Sequence, residues 1–292
     1  MIYVKKQTKA ILYTMPAVIF IAGTILLGTF LAILQSFGYF PEINLTKLTL
    51  KYYQELFKSP TLVKSLVYSF KTAIISTLLG VGCGLVASYA IVTGPKEHKF
   101  IKRMMALPVA IPHIIVVTIV FNLLIRTGFI SRLLIGIGLL SSFQDFPNLL
   151  LTSSGIGVIV VYFWKAFPYT MMVLYSVLKS IDKRYNYVSR NLGATRLQFF
   201  FYVVLPLAKP MLITSALILF AFSFSAYEVP YLLGAIVPKA LPVQAYIEYT
   251  SPILENRPYA MAINVLMMII TFFLMGVYQF VSTRVERRRY YD

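Results

Sequence analysis

Six stretches of this chain are each long and apolar enough to cross a bilayer, and that feature removes most folds from consideration. A spanning helix needs roughly 20 mostly apolar residues to clear the hydrocarbon core. The stretches run about Ala10–Phe37, Leu62–Val92, Met104–Ile125, Gly155–Leu178, Leu207–Tyr227 and Tyr259–Val281. In lipid no water is present to take up unpaired backbone groups, so runs of this length must be helices. The expected fold class is all-α, a polytopic membrane protein with six transmembrane helices in which 1–292 forms one membrane domain. Composition agrees, since 59% hydrophobic against 13% charged residues lies outside the range of soluble domains. The first stretch follows Lys5, Lys6 and Lys9, as a secretory leader would. Its apolar run exceeds a leader's usual core and no small-x-small site closes it, so a retained span is expected.

A formal net charge of +17 invites a nucleic-acid reading, but the placement of the charges argues for topology instead. Lys5, Lys6 and Lys9 precede the first span; Lys96, Lys99, Lys102 and Arg103 lie between the second and third. Lys179, Lys183, Arg184, Arg190, Arg196 and Lys209 cluster between the fourth and fifth, and Arg284, Arg287, Arg288 and Arg289 end the chain. Seventeen of the 27 basic residues thus share one side, against eight on the other. Cytoplasmic loops carry the excess of Lys and Arg. Both termini are therefore expected in the cytoplasm, with the chain multi-pass in the cytoplasmic membrane and no nucleic-acid partner.

On the other side, "LTLKYYQELFKSP" is expected to form a short interfacial helix with Tyr52, Tyr53 and Phe57 at headgroup level, and "ISRLLIGIGLL" an interfacial or re-entrant piece. The chain has no phosphate-binding G-x-x-x-x-G-K-[ST] loop, no H-E-x-x-H and no G-x-S-x-G, so catalysis is not expected of it. His98 and His113 lack a second ligand at metal spacing, so no metal site is expected. His113, after Pro108 and Pro112, is expected to bond a carbonyl that the prolines free. Lone Cys83 reads as small core filler, and Gly80 and Gly84, four apart, as a close helix contact. Charges inside a membrane are costly and so suggest function. Lys165, near the middle of the fourth span, and Glu228, at the outer end of the fifth, are the candidates for a polar translocation path. A structural ion pair or snorkelling is the plainer alternative for them. Lys71 is expected to snorkel.

The connection between the fourth and fifth spans, about 179–206, is far longer than a plain joint requires. "DKRYNYVSRNLG" keeps Tyr185, Val188 and Leu192 at helical spacing, with Gly193 to end the helix. "ATRLQFFFYVVLP" resumes as a second helix, and Pro206 and Pro210 are expected to mark the turn into the fifth span. A short amphipathic helix lying along the membrane face can dock into a soluble partner and pass its movement to the spans.

This connection resembles the cytoplasmic coupling loop of binding-protein-dependent ABC importer permeases, the type I importer membrane subunits. Gly193 matches the glycine of their Glu-Ala-Ala…Gly motif, Ala194 and Gln198 match common neighbours, and Val203, Leu205, Pro206 and Pro210 match its ending. At the front, Tyr187-Val188-Ser189 stands where the family has Glu-Ala-Ala, which removes an acidic contact. The resemblance implies ATPase coupling through Tyr187, Arg190, Asn191, Leu192, Gly193, Ala194 and Thr195. It also implies an ATP-binding cassette ATPase dimer that carries ATP and Mg, so that this chain binds no cofactor. A second permease subunit, here a different chain, and an extracytoplasmic solute-binding protein complete the assembly, with membrane lipid around it. "YEVPYLLG", "LPVQAYIEYT" and "RPYAMAINVLM" further resemble the subgroup that moves polyamines, ferric iron, thiamine or 2-aminoethylphosphonate. The alternative is an ion-gradient-driven secondary transporter, for which the inverted repeat and midplane acids are missing.

Overall fold

The computed structural model describes residues 2–94, 108, 110–181 and 183–291. Lys96, His98, Lys99, Lys102, Arg103 and the expected start of the third span at Met104 lie outside the described residues, as do the side chains of 2–12, 183 and 281–291. Among the described residues the chain is helical, with no strand. The six long helical stretches are α1 (Ile2–Ser36), α3 (Leu62–Thr93), α4 (His113–Leu124) with α5 (Phe129–Gly136), α6 (Ile156–Ser180), α8 (Arg196–Ser225) and α11 (Arg257–Tyr291). Shorter helices are α2 (Lys51–Lys58), α7 (Lys183–Asn191), α9 (Glu228–Leu233) and α10 (Leu241–Tyr249). Each of the six is apolar enough to cross a membrane, as the sequence implies. "ISRLLIGIGLL" largely forms α5, which prolongs the third span beyond a break at Gly128.

The chain divides into two compact units, Met1–Leu62 with Gln244–Asp292, and Val63–Val243. In the first, α11 packs on α1 and α2. Tyr52 and Leu56 of α2 are buried on one face, one helical turn apart. Tyr52 therefore faces protein and not headgroups, whereas Phe57 stays exposed as expected. Tyr53 reaches the end of α1, its hydroxyl 2.8 Å from Ser36 Oγ and its ring 5.4 Å from that of Phe37.

In the second unit α6 is the central helix. Its first half shares a core with α4 and α9, through Val116, Val120, Val158, Val161, Val229 and Leu233. Its second half shares another with α3 and α8, through Leu85, Leu174, Leu178, Phe199, Ala208 and Leu212. Between them α3 lies directly against α6: the space beyond Gly80 is filled by Ala166, and that beyond Gly84 by Thr170. Lipid tails are as apolar as leucine, so such contacts hold by shape rather than by exclusion of water. Several hydroxyls along α3 donate to its own carbonyls, Thr72 Oγ1 to Tyr68 O at 3.0 Å and Ser88 Oγ to Leu85 O at 2.9 Å, whereas the buried Thr77 Oγ1 has no hydrogen-bond partner. Cys83 is exposed and is not core filler, because α3 turns its Gly80–Gly84 face inward and position 83 away from it.

The fifth span departs from the sequence reading at its start. The chain does not turn at Pro206 or Pro210; α8 runs on from Arg196 through both. Phe200–Val204 forms a π turn just before Pro206. Its wider winding makes room for a residue that has no N–H to donate. After α8, the segment 226–241 returns to α3. Ala235 N–H donates to Tyr68 Oη at 3.0 Å, and Leu241 N–H to Ser69 Oγ at 2.9 Å. Lys71 does more than snorkel, since its Nζ donates to the carbonyl of Ser153.

Candidate functional site

The stretch from α7 into α8 is built as a rigid corner. Gly193 takes φ +76°, a left-handed conformation that only glycine enters without strain. Gly193 N–H then donates to Arg190 O and Ala194 N–H to Ser189 O, both at 2.9 Å. That pair is the Schellman closure of a helix C-terminus. Thr195 opens α8 at once. Its Oγ1 accepts from Gln198 N–H at 3.2 Å, while its own N–H donates to Gln198 Oε1 at 2.8 Å, the reciprocal capping box. Few residues separate the two caps.

One side of the corner is anchored and the other open. Phe199 is buried with Leu85, Leu174 and Leu178, and Phe200 meets Tyr89 edge-on at 4.8 Å. On α7, by contrast, Tyr185, Tyr187 and Val188 are more than half exposed, and Leu192 is 81% exposed. Of the residues expected to couple, Ala194 is half-buried and the other six are exposed; Arg190, Ala194 and Thr195 also line a small cleft of about 60 Å³. Tyr89 and Thr93, at the end of α3, line the same cleft. These two, and the anchor Phe199, were missed from sequence. They lie in ordinary apolar runs, and only the capping signal T-x-x-Q ahead of Phe199 hinted that it begins a helix.

A second polar group sits about α6. Lys165 Nζ donates to the carbonyl of Ile111, just ahead of the helix start at Pro112. Lys165 and Glu228 both lie within electrostatic reach of His113. Glu228 is exposed at the start of α9, and Tyr162 Oη beside it donates to Ala226 O at 3.2 Å. His113 differs from expectation. Its ring packs on Phe222 at 5.3 Å and its buried Nε2 has no hydrogen-bond partner, because Lys165 takes the carbonyl near the prolines. Among the described residues no cluster of His, Cys, Asp or Glu is arranged to hold a metal.

The family model described as "Binding-protein-dependent transport system inner membrane component" matches residues 61–287. The probable ABC transporter permease protein YurN of Bacillus subtilis is 29% identical, over 89% of this chain and 91% of its own. The spermidine/putrescine transport system permease protein PotB of Haemophilus influenzae is also 29% identical, over 55% of this chain and 54% of its own. The molybdate/tungstate transport system permease protein WtpB of Methanocaldococcus jannaschii is 26% identical, over 64% of this chain and 72% of its own. Among solved structures, a chain of a bacterial ABC transporter that imports the acidic polysaccharide alginate superposes with a TM-score of 0.75 and 18% identity, covering 97% of this chain and 98% of its own. That likeness concerns the fold.

Proposed function

This chain belongs to the binding-protein-dependent transport system inner membrane components, the permease subunits of ABC importers, and from that premise we propose that its α7–α8 corner docks an ATP-binding cassette ATPase on the cytoplasmic side. The ATPase dimer carries ATP and Mg, a different permease chain pairs with this one, and an extracytoplasmic binding protein delivers the solute. Both termini face the cytoplasm. One observation carries the reading: an exposed apolar face on α7 is joined, through a doubly capped corner, to Phe199 in the core of α3, α6 and α8. Closure of the ATPase dimer pushes on that face, and the corner moves the second halves of the spans. The missing acidic residue of the family motif is replaced by apolar docking through Tyr187, Val188 and Leu192.

The solute we propose is a small amine-bearing compound, a polyamine or a relative of 2-aminoethylphosphonate. Support comes from the PotB relative and from Glu228, an exposed carboxylate able to meet an ammonium. In proteoliposomes holding this chain with its ATPase, partner permease and binding protein, uptake should require ATP and persist with ionophores. Spermidine or 2-aminoethylphosphonate should compete for uptake and molybdate should not; competition by molybdate alone would overturn the choice of solute.

Lys165 and Glu228 then line the path, both within electrostatic reach of His113. Replacing either by leucine is expected to lower uptake about tenfold or more, the effect of losing one charge-assisted contact of about 1.5–3 kcal/mol. Copurification of the assembly checks that the loss is not one of folding. Normal uptake by both variants would remove these residues from the path.

A further inference from the structure

We propose that the cleft between the end of α3 and the α7–α8 corner binds a phosphate-bearing anion. Its chemistry points one way. Arg190 and Arg196 bring two guanidinium groups, Thr93, Ser189 and Thr195 bring hydroxyls, and Asn186 brings an amide. No carboxylate lines it, and among the described residues neither arginine forms an ion pair. Thr93 and Ser189 give their hydroxyl protons to Tyr89 O and Asn186 O, so the donors left are the two guanidinium forks, the Thr195 hydroxyl and the Asn186 amide. Guanidinium forks match the oxygens of a phosphate, with charge-assisted bonds about twice as strong as neutral ones. At about 60 Å³ the cleft is small, with room for a single phosphate group and not for a whole drug-sized ligand.

The cleft is also separate from the docking face. At about 100° per residue, Asn186 and Arg190 stack on one side of α7, whereas Val188 and Leu192 of the docking face occupy the opposite one. An anion can therefore sit in the cleft while a partner occupies the apolar face. Farther along α8 from Arg196 and Phe199, Phe201 and Tyr202 are exposed. Aromatic residues of this kind mark the headgroup level of a membrane. The phosphate can thus belong to an anionic lipid or to a free ion, and either would bridge α3 to the corner and restrain its movement. The binding claim stands on the cleft alone, and its test needs no ATPase, so it fails or succeeds separately from the docking proposal.

The test uses the purified full chain in phosphatidylcholine nanodiscs, with melting temperature as the readout. Phosphatidylglycerol is added to the discs in one arm, and inorganic phosphate is titrated against chloride at equal ionic strength in the other. A rise in one or both arms is expected and identifies the source of the phosphate. Arg190→Gln and Arg196→Gln should each weaken the apparent affinity about tenfold, and the double variant should lose the rise. Lys58→Gln, outside the cleft, should keep it. The double Arg→Lys variant should recover most of it, which separates lost charge from lost fold. No rise in either arm, a rise equal to that with chloride, or a full rise in the double Gln variant overturns the site.

Discussion

Replacing Leu192 with aspartate is expected to abolish ATP-dependent uptake while leaving the chain folded in the membrane. The side chain is 81% exposed and lies at the end of α7, so the folded chain loses almost no contact when it changes. Surface substitutions of that kind stay within about 0.5 kcal/mol in stability. If an ATPase groove closes over Tyr187, Val188 and Leu192, however, the same change buries an unpaired carboxylate there. That costs several kcal/mol, and each 1.4 kcal/mol is a tenfold loss of affinity. ATPase copurifying with the chain should therefore fall by at least two orders of magnitude, with uptake. A glycine/serine linker in place of Asn191–Thr195 should uncouple the assembly as well, because it deletes both the Schellman closure and the Thr195 cap. An ATPase that stayed bound and solute-stimulated in both variants would end the docking proposal.

The difference between those two variants also shows what could be read from sequence. Six spans were legible because lipid leaves no alternative to helix for long apolar runs, so length alone carried the inference. Gly193 was legible as a helix end, and the structure supplies the reason in its positive φ. The rest of the corner was spelled out locally as T-x-x-Q, yet an amphipathic reading passed over it. Pro206 and Pro210 misled. In a water-soluble helix each would mark a stop, but α8 runs through both, with a π turn just ahead of Pro206.

Long-range features were out of reach for a different reason. Nothing near Tyr89 or Thr93 signals that Arg196 will lie beside them, although Tyr89 Oη ends 3.4 Å from its carbonyl. Lys165 was conspicuous as a charge in a span, but its acceptor, Ile111 O, is on another helix. Its grouping with His113 and Glu228 likewise depends on how α4, α6 and α9 pack. Side-chain type flagged the Lys165 group, and packing alone assembled it.

Gly84 offers the sharpest test of that packing. A Cβ at Gly84 would lie 2.7 Å from Thr170 Cβ, 2.9 Å from Thr170 Cγ2 and 3.1 Å from the backbone nitrogen of Met171. None of these atoms is the free end of a flexible chain, so α3 and α6 must separate to admit a side chain. In water, some of that cost would be offset by the extra apolar surface buried; in lipid no such gain exists, and fit is all that holds the pair. Gly84→Leu is therefore expected to cost at least the usual ~1–3 kcal/mol of overpacking. It would also part the second halves of α3 and α6, which hold Leu85, Leu174 and Phe199 together. Expression in the membrane and melting temperature in detergent should both drop sharply. Gly82→Leu makes the same chemical change two residues away, where nothing lies within 4 Å of a new Cβ. There leucine replaces the poorest ordinary helix former, worth up to ~1 kcal/mol in its favour, so the melting temperature should hold or rise. Equal behaviour of the two variants would mean that α3 and α6 do not meet at Gly84.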